Sequence, residues 1–137
     1  MLYLLDTNTC INYINRRNLQ VYEHLMKLSP DDVYICDVVK FELYYGAYSG
    51  SRTAENLEKL NKFFGDFVSL PFDGKAAIIC GQIRSQLKIL GTPIGSDDLQ
   101  IASIALAHDL TLVTHNTREF GRVEGLRIED WEELEEN

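Results

Sequence analysis

Three carboxylates, Asp6, Glu42 and Asp98, are the side chains of this 137-residue chain best suited to metal chemistry. Asp6 ends a short apolar run, residues 2–5 (LYLL). Glu42 is a lone acid among Phe41, Leu43, Tyr44 and Tyr45, and Asp98 opens an Ala/Ile-rich stretch. A hard cation such as Mg²⁺ prefers carboxylate oxygens and keeps several waters, so one or two direct carboxylates with others behind them are enough. Such an ion can deprotonate a bound water for in-line attack on a phosphodiester and neutralise the charge on the leaving oxygen. No nucleophilic side chain is then required.

Each acid also has a plainer reading. Asp6 could cap a helix starting at Thr7-Asn8-Thr9. Asp97 and Asp98 fall in a helix's first turn, where the macrodipole favours carboxylates. Glu42 could be a solvated helix residue. His24, His108 and His115 are too scattered for a ligand triad. His115 lies beside Asn116, where it could contact a substrate, while Tyr44, Tyr45, Phe63 and Phe64 read as core or interface rather than base-stacking groups.

The elements that must position these residues alternate. The pattern predicts a buried strand at 2–5, a helix to about Asn15, a helix over 19–28 stopping before Pro30, and a strand at 33–36. Asp37 reads as the N-cap of a helix over 38–48, with a turn at 49–52. A helix follows through TAENLEKLNKFF, broken by Gly65, then a strand at 67–71. Asp73 caps a helix over 74–90 that ends at Gly91, Ser96 caps a helix over 97–108, and residues 111–114 form another strand. Short apolar strands alternating with helices predict an α/β domain with a short, mainly parallel central sheet of four to five strands, covered by helices on both faces. In such sheets ligands bind beyond the carboxyl ends of the strands, which puts Asp6 and Asn116 at one edge. Asp98 starts the helix leading into the last of these strands and, with a right-handed connection, points back to that edge.

Composition fits one domain over 1–131 with an acidic tail over 132–137, and 45% hydrophobic residues suffice for a core. Cys10, Cys36 and Cys80 show no metal or disulfide spacing and read as small apolar residues in a reducing cytoplasm. No signal peptide or membrane span is expected. The net charge of −8 runs against a nucleic-acid partner, yet six acids crowd into the last nine residues. Arg16, Arg17, Arg52, Arg84, Lys88, Arg118 and Arg122 remain to contact phosphates if the fold gathers them. Asn8 stands where a haloacid-dehalogenase-like phosphotransferase needs a second Asp, and TLVTHN lacks the Lys of a receiver domain. No Walker A, GxGxxG or GxSxG motif occurs.

Five segments in order, LDTN at 5–8, FELYYGA at 41–47, LPFD at 70–73, GTPIGSDDLQIASIALAHDLTLVTHNTREF at 91–120 and GLRIEDW at 125–131, resemble the PIN-domain family and within it the VapC-like toxins. The resemblance implies a PIN-like fold. It implies that Asp6, Glu42 and Asp98 hold Mg²⁺, with Mn²⁺ as a substitute, and that the fourth, often acidic, catalytic position falls on Asn116, with Glu119 partly compensating. It further implies an endoribonuclease toxin that cleaves structured RNA such as tRNA by metal-activated water and inhibits translation. A homodimer and a VapB-like antitoxin are implied as partners. The alternative is a catalytically weak PIN-like module that binds RNA or antitoxin.

Overall fold

The structure, a computed structural model, describes residues 1–133; of the expected acidic tail, residues 134–137 lie outside the described residues. Five strands, β1 (Tyr3–Leu5), β2 (Val33–Cys36), β3 (Val68–Leu70), β4 (Thr111–Val113) and β5 (Ile128–Glu129), form one sheet in the order β3-β2-β1-β4-β5. Every pairing is parallel, with Leu4 opposite both Tyr34 and Leu112. Successive strand residues point to opposite faces, and all three residues of β1 and of β4 are buried, so the centre of the sheet is covered on both sides.

Helices supply that cover, and among the described residues the α-helices are α1 (Thr7–Ile14), α2 (Leu19–Met26), α3 (Asp37–Ser49), α4 (Thr53–Phe64), α5 (Gly74–Leu90), α6 (Ser96–Ala107) and the single turn α7 (Thr117–Phe120). α4 and α5 fall on the expected residues, α5 because Asp73 accepts from the Ala76 amide and Gly91 closes the helix at φ 72°. α6 is buried almost all round, with Ile101, Ala102, Ser103, Ile104 and Ala105 each at most 1% exposed, as its Ala/Ile-rich sequence requires.

Two caps differ from expectation. Asp37 is not the N-cap of α3 but its first residue; Cys36 occupies the cap, and the Asp37 carboxylate accepts instead from the Ser69 hydroxyl at 2.6 Å, tying the ends of β2 and β3 together. Ser96 is likewise the first residue of α6 rather than its cap, which is Gly95. β5 and α7 had no strong local signal: two residues and four residues are too short to show periodicity. Cys10 and Cys36 are fully buried and Cys80 is half-buried, all three as free thiols. Among the described residues no helix is long and apolar enough to cross a membrane.

Candidate active site

β1 and β4 are neighbours, yet the chain leaves β1 toward β2 on one side and reaches β5 from β4 on the other. The strand order reverses between them, the place where an open α/β sheet leaves a crevice at its carboxyl edge. Asp6 follows β1 there and Thr114 follows β4, their backbones joined by the Asp6 amide donating to the Val113 carbonyl at 3.1 Å.

The Asp6 side chain does two things at once. Its Oδ1 accepts from the Thr9 amide at 2.8 Å, so it does cap α1. It is also only 6% exposed. Burial raises its pKa above the ordinary carboxylate range, hydrogen bonds from Thr114 and Thr9 partly offset this, and the charge of Asp130 adds to the rise. Thr114 is fully buried, and its Oγ1 accepts from the Asn116 amide at 3.0 Å, so a backbone amide, a hydroxyl and the Asp6 carboxylate form a relay.

Glu42 lies half-buried on α3, where Oε1 accepts from the Thr7 hydroxyl at 2.5 Å. That bond joins the start of α1 to the middle of α3, so Glu42 is not a free surface acid. Asp98, in the first turn of α6, is pushed up to about 6, first by burial and then by the charges of Glu119, Glu42, Asp6 and Asp97. These carboxylates come from α7, α3, the end of β1 and α6 itself. The fold therefore brings acids from three other segments toward Asp98.

Asn116 caps α7 in position only, its side chain pointing along the turn to donate from Nδ2 to Glu119 Oε2 at 2.5 Å. Glu119, not Asn116, is the group whose negative charge reaches Asp98 most strongly. A donor set made only of carboxylate oxygens, crowded enough to lift one of its members, fits a hard divalent cation. The carboxylates of Asp6, Glu42 and Asp98 do not, as a set, lie within 4.8 Å of one another; among the described residues only His115, Asp130 and Glu132 form so tight a group.

Thr7 and Thr114, which hold Glu42 and Asp6, belong to no acidic motif of the sequence. A hydroxyl residue directly after a buried strand, at Thr114, or one residue beyond it, at Thr7, is the signal that marks them.

Of the basic residues, Arg17 borders the groove containing Asp6, Asn8 and Asn116 as well as the neighbouring one containing Glu42. It is exposed and forms no ion pair among the described residues. Its position follows from a Schellman turn ending α1, in which the Arg16 amide donates to Tyr13 and the Arg17 amide to Asn12. The left-handed residue of that turn, ordinarily Gly, is Arg16 at φ 50°, whose guanidinium lies 5.0 Å from the Tyr22 ring centre. Arg84 and Lys88 instead flank a separate groove beside Ser96.

Residues 3–126 match the model of the PIN domain. The chain belongs to the PIN-domain family. Its relatives include ribonuclease VapC2 of Rickettsia felis, 36% identical over 96% of this chain and 99% of the relative. They also include the tRNA(fMet)-specific endonuclease VapC of Salmonella typhimurium, 40% identical over 94% of this chain and 97% of the relative. The PIN fold superposes on the crystal structure of VapBC2 from Rickettsia felis, bound to a DNA fragment from its promoter, with a TM-score of 0.89 at 36% identity, covering 96% of this chain and 99% of that one. The acid cluster of this PIN domain lies within the matched residues; Asp130 and Glu132 lie beyond them.

Proposed function

We propose that this PIN domain is a divalent-metal-dependent endoribonuclease, the toxin of a toxin–antitoxin pair, that cleaves structured RNA of the tRNA class and so halts translation. The observation that carries the reading is the convergence of Glu119, Glu42 and Asp6, from three separate segments, on Asp98. Relatives named as ribonucleases favour an active enzyme over a binding-only module.

Asp6, Glu42 and Asp98 hold the metal, Mg²⁺ or in its place Mn²⁺, with Glu119 behind them and Asn116 fixing Glu119. A bound divalent cation supplies an activated water for in-line attack and neutralises charge at the leaving oxygen. The chain's own groups do the rest. Thr9 and Thr114 hold the Asp6 carboxylate in one orientation, and Thr7 holds Glu42. Arg17 offers an unpaired cation to the RNA backbone at the edge of the acid groove, which offsets an otherwise unfavourable overall charge.

The partners are a VapB-like antitoxin and a second copy of the chain. Support for the antitoxin comes from relatives solved as VapBC complexes. Support for the homodimer comes from α3, where Phe41, Tyr45 and Tyr48 follow one helical face and are 58%, 69% and 65% exposed, an apolar surface suited to self-association. The place of action is the cytoplasm, where translation and its tRNA are found.

The test is cleavage of tRNA by purified protein with Mg²⁺, beside Asp6→Asn and Asp98→Asn. Discrete cleavage by the wild type alone is expected. Intact RNA with the wild type, or equal cleavage by all three proteins, overturns the assignment.

A further inference from the structure

Beside the carboxylate set lies a second group of ligand-type atoms with a different chemistry. His115 Nδ1 is 2.9 Å from Asp130 Oδ2 and 3.7 Å from Glu132 Oε2. The three ligand atoms all lie within 4.8 Å of one another. We propose that His115, Asp130 and Glu132 form a separate site for a transition-metal dication of the Zn²⁺ class, at the rim of the acid groove.

Three features carry it. First, the spacing is that of a coordination polyhedron: ligands about 2.0–2.2 Å from an ion sit roughly 3.0–3.5 Å from each other, and the two measured separations bracket that range. Second, the central ligand is already fixed. The Asp130 side chain is 7% exposed, and its Oδ1 accepts from the Glu132 amide at 2.9 Å, which leaves Oδ2 directed at the imidazole. The same hydrogen bond bends the chain so that Glu132 returns toward His115. Third, an imidazole nitrogen with two carboxylates suits borderline metals such as Zn²⁺, whereas the oxygen-only set around Asp98 suits Mg²⁺. The two sites therefore select different ions.

The position gives the site a consequence. His115 and Glu132 border the same groove as Asp6 and Asn116, and Asp130 is close enough for its charge to act on Asp6. An ion held there puts positive charge beside the acid cluster. With three protein ligands it keeps coordination positions open to water or to the oxygen of an anion. The site does not depend on the nuclease reading, since its ligands are distinct from Asp6, Glu42 and Asp98.

The experiment is calorimetric titration of the full chain with Zn²⁺ in saturating Mg²⁺, paired with the visible absorption of bound Co²⁺. One Zn²⁺ per chain is expected for the wild type and for Asp98→Asn, with His115→Ala and Glu132→Gln each weakening it by about 10-fold or more. His115 is exposed, so its replacement leaves the fold intact, which circular dichroism checks. Absence of Zn²⁺ binding by the wild type would show that the trio is an ion pair only and overturn the site. Undiminished binding by His115→Ala, or loss of binding in Asp98→Asn, would place the ion elsewhere and overturn it equally.

Discussion

The side-chain nitrogen Nδ2 of Asn116 lies 2.5 Å from Oε2 of Glu119, so a neutral residue orients a carboxylate one helical turn further on. Glu119 in turn is the strongest of the charges that lift Asp98. Glu119→Gln is therefore expected to lower the Asp98 pKa and move the acidic limb of the pH–rate profile to lower pH. It should also reduce kcat about tenfold, on the scale of lost outer-sphere support. Cleavage rates measured between pH 5 and 8 check both effects.

The raised pKa of Asp98 sets the sign of a stability effect. The folded state holds that proton more tightly than the unfolded chain, so the group favours folding below its unfolded pKa, near 3.8, and that advantage is lost as pH rises through about 6. Without metal, Asp98→Asn should thus raise Tm at pH 7.5 by about 3 °C, roughly 1 kcal/mol once solvent screening of a half-exposed group is allowed for. The gain should vanish near pH 4. Millimolar Mg²⁺ should stabilise the wild type and leave the variant little changed. Differential scanning fluorimetry across pH, with and without Mg²⁺, reads all of this.

Because Asp6 both caps α1 and borders the groove, its two roles separate by substitution. Asparagine keeps an oxygen for the Thr9 amide, so Asp6→Asn should fold with near-wild-type Tm yet lose RNA cleavage and toxicity on expression. Asp6→Ala should lose activity and also about 1 kcal/mol of stability with the cap. Urea denaturation paired with growth assays distinguishes the two.

At the end of α1 the strain at Arg16 and the cation at Arg17 are separable too. Arg16→Gly relieves a left-handed non-glycine residue at the loss of one cation–π contact, for a net gain of about 0.5–1 kcal/mol. Arg17→Gln should leave stability unchanged, weaken RNA binding and reduce the salt slope of that binding by about one, with Arg17→Lys restoring most of it. Fluorescence anisotropy with labelled tRNA over a salt series measures the slope.

Much of this arrangement is legible from local signals. The LYLL run before Asp6, the Asp73 cap with Gly91 at the far end of α5, and the Ala/Ile character of α6 each state their element within a few residues. What escapes is set by distance along the chain. Thr7 meets Glu42 across 35 residues, Ser69 diverts Asp37 from its expected capping role across 32, and His115 meets Asp130 across 15. No periodicity records such pairs. The terminal acids that look like a solvated tail in the sequence begin as site-building residues, because buried Trp131 stacks on His24 and holds the segment against the domain.

The sheet order has a consequence for how the molecule is born. β1 is made before every other strand of the sheet yet sits in its middle, and its partner β4 is synthesised more than a hundred residues later. Asp6 has no crevice to line until β4 slots in beside it, and Asp98 and Glu119 come from that same late portion. A chain that has made β1 but not yet β4 therefore carries Asp6 without the crevice that the finished sheet places beside it.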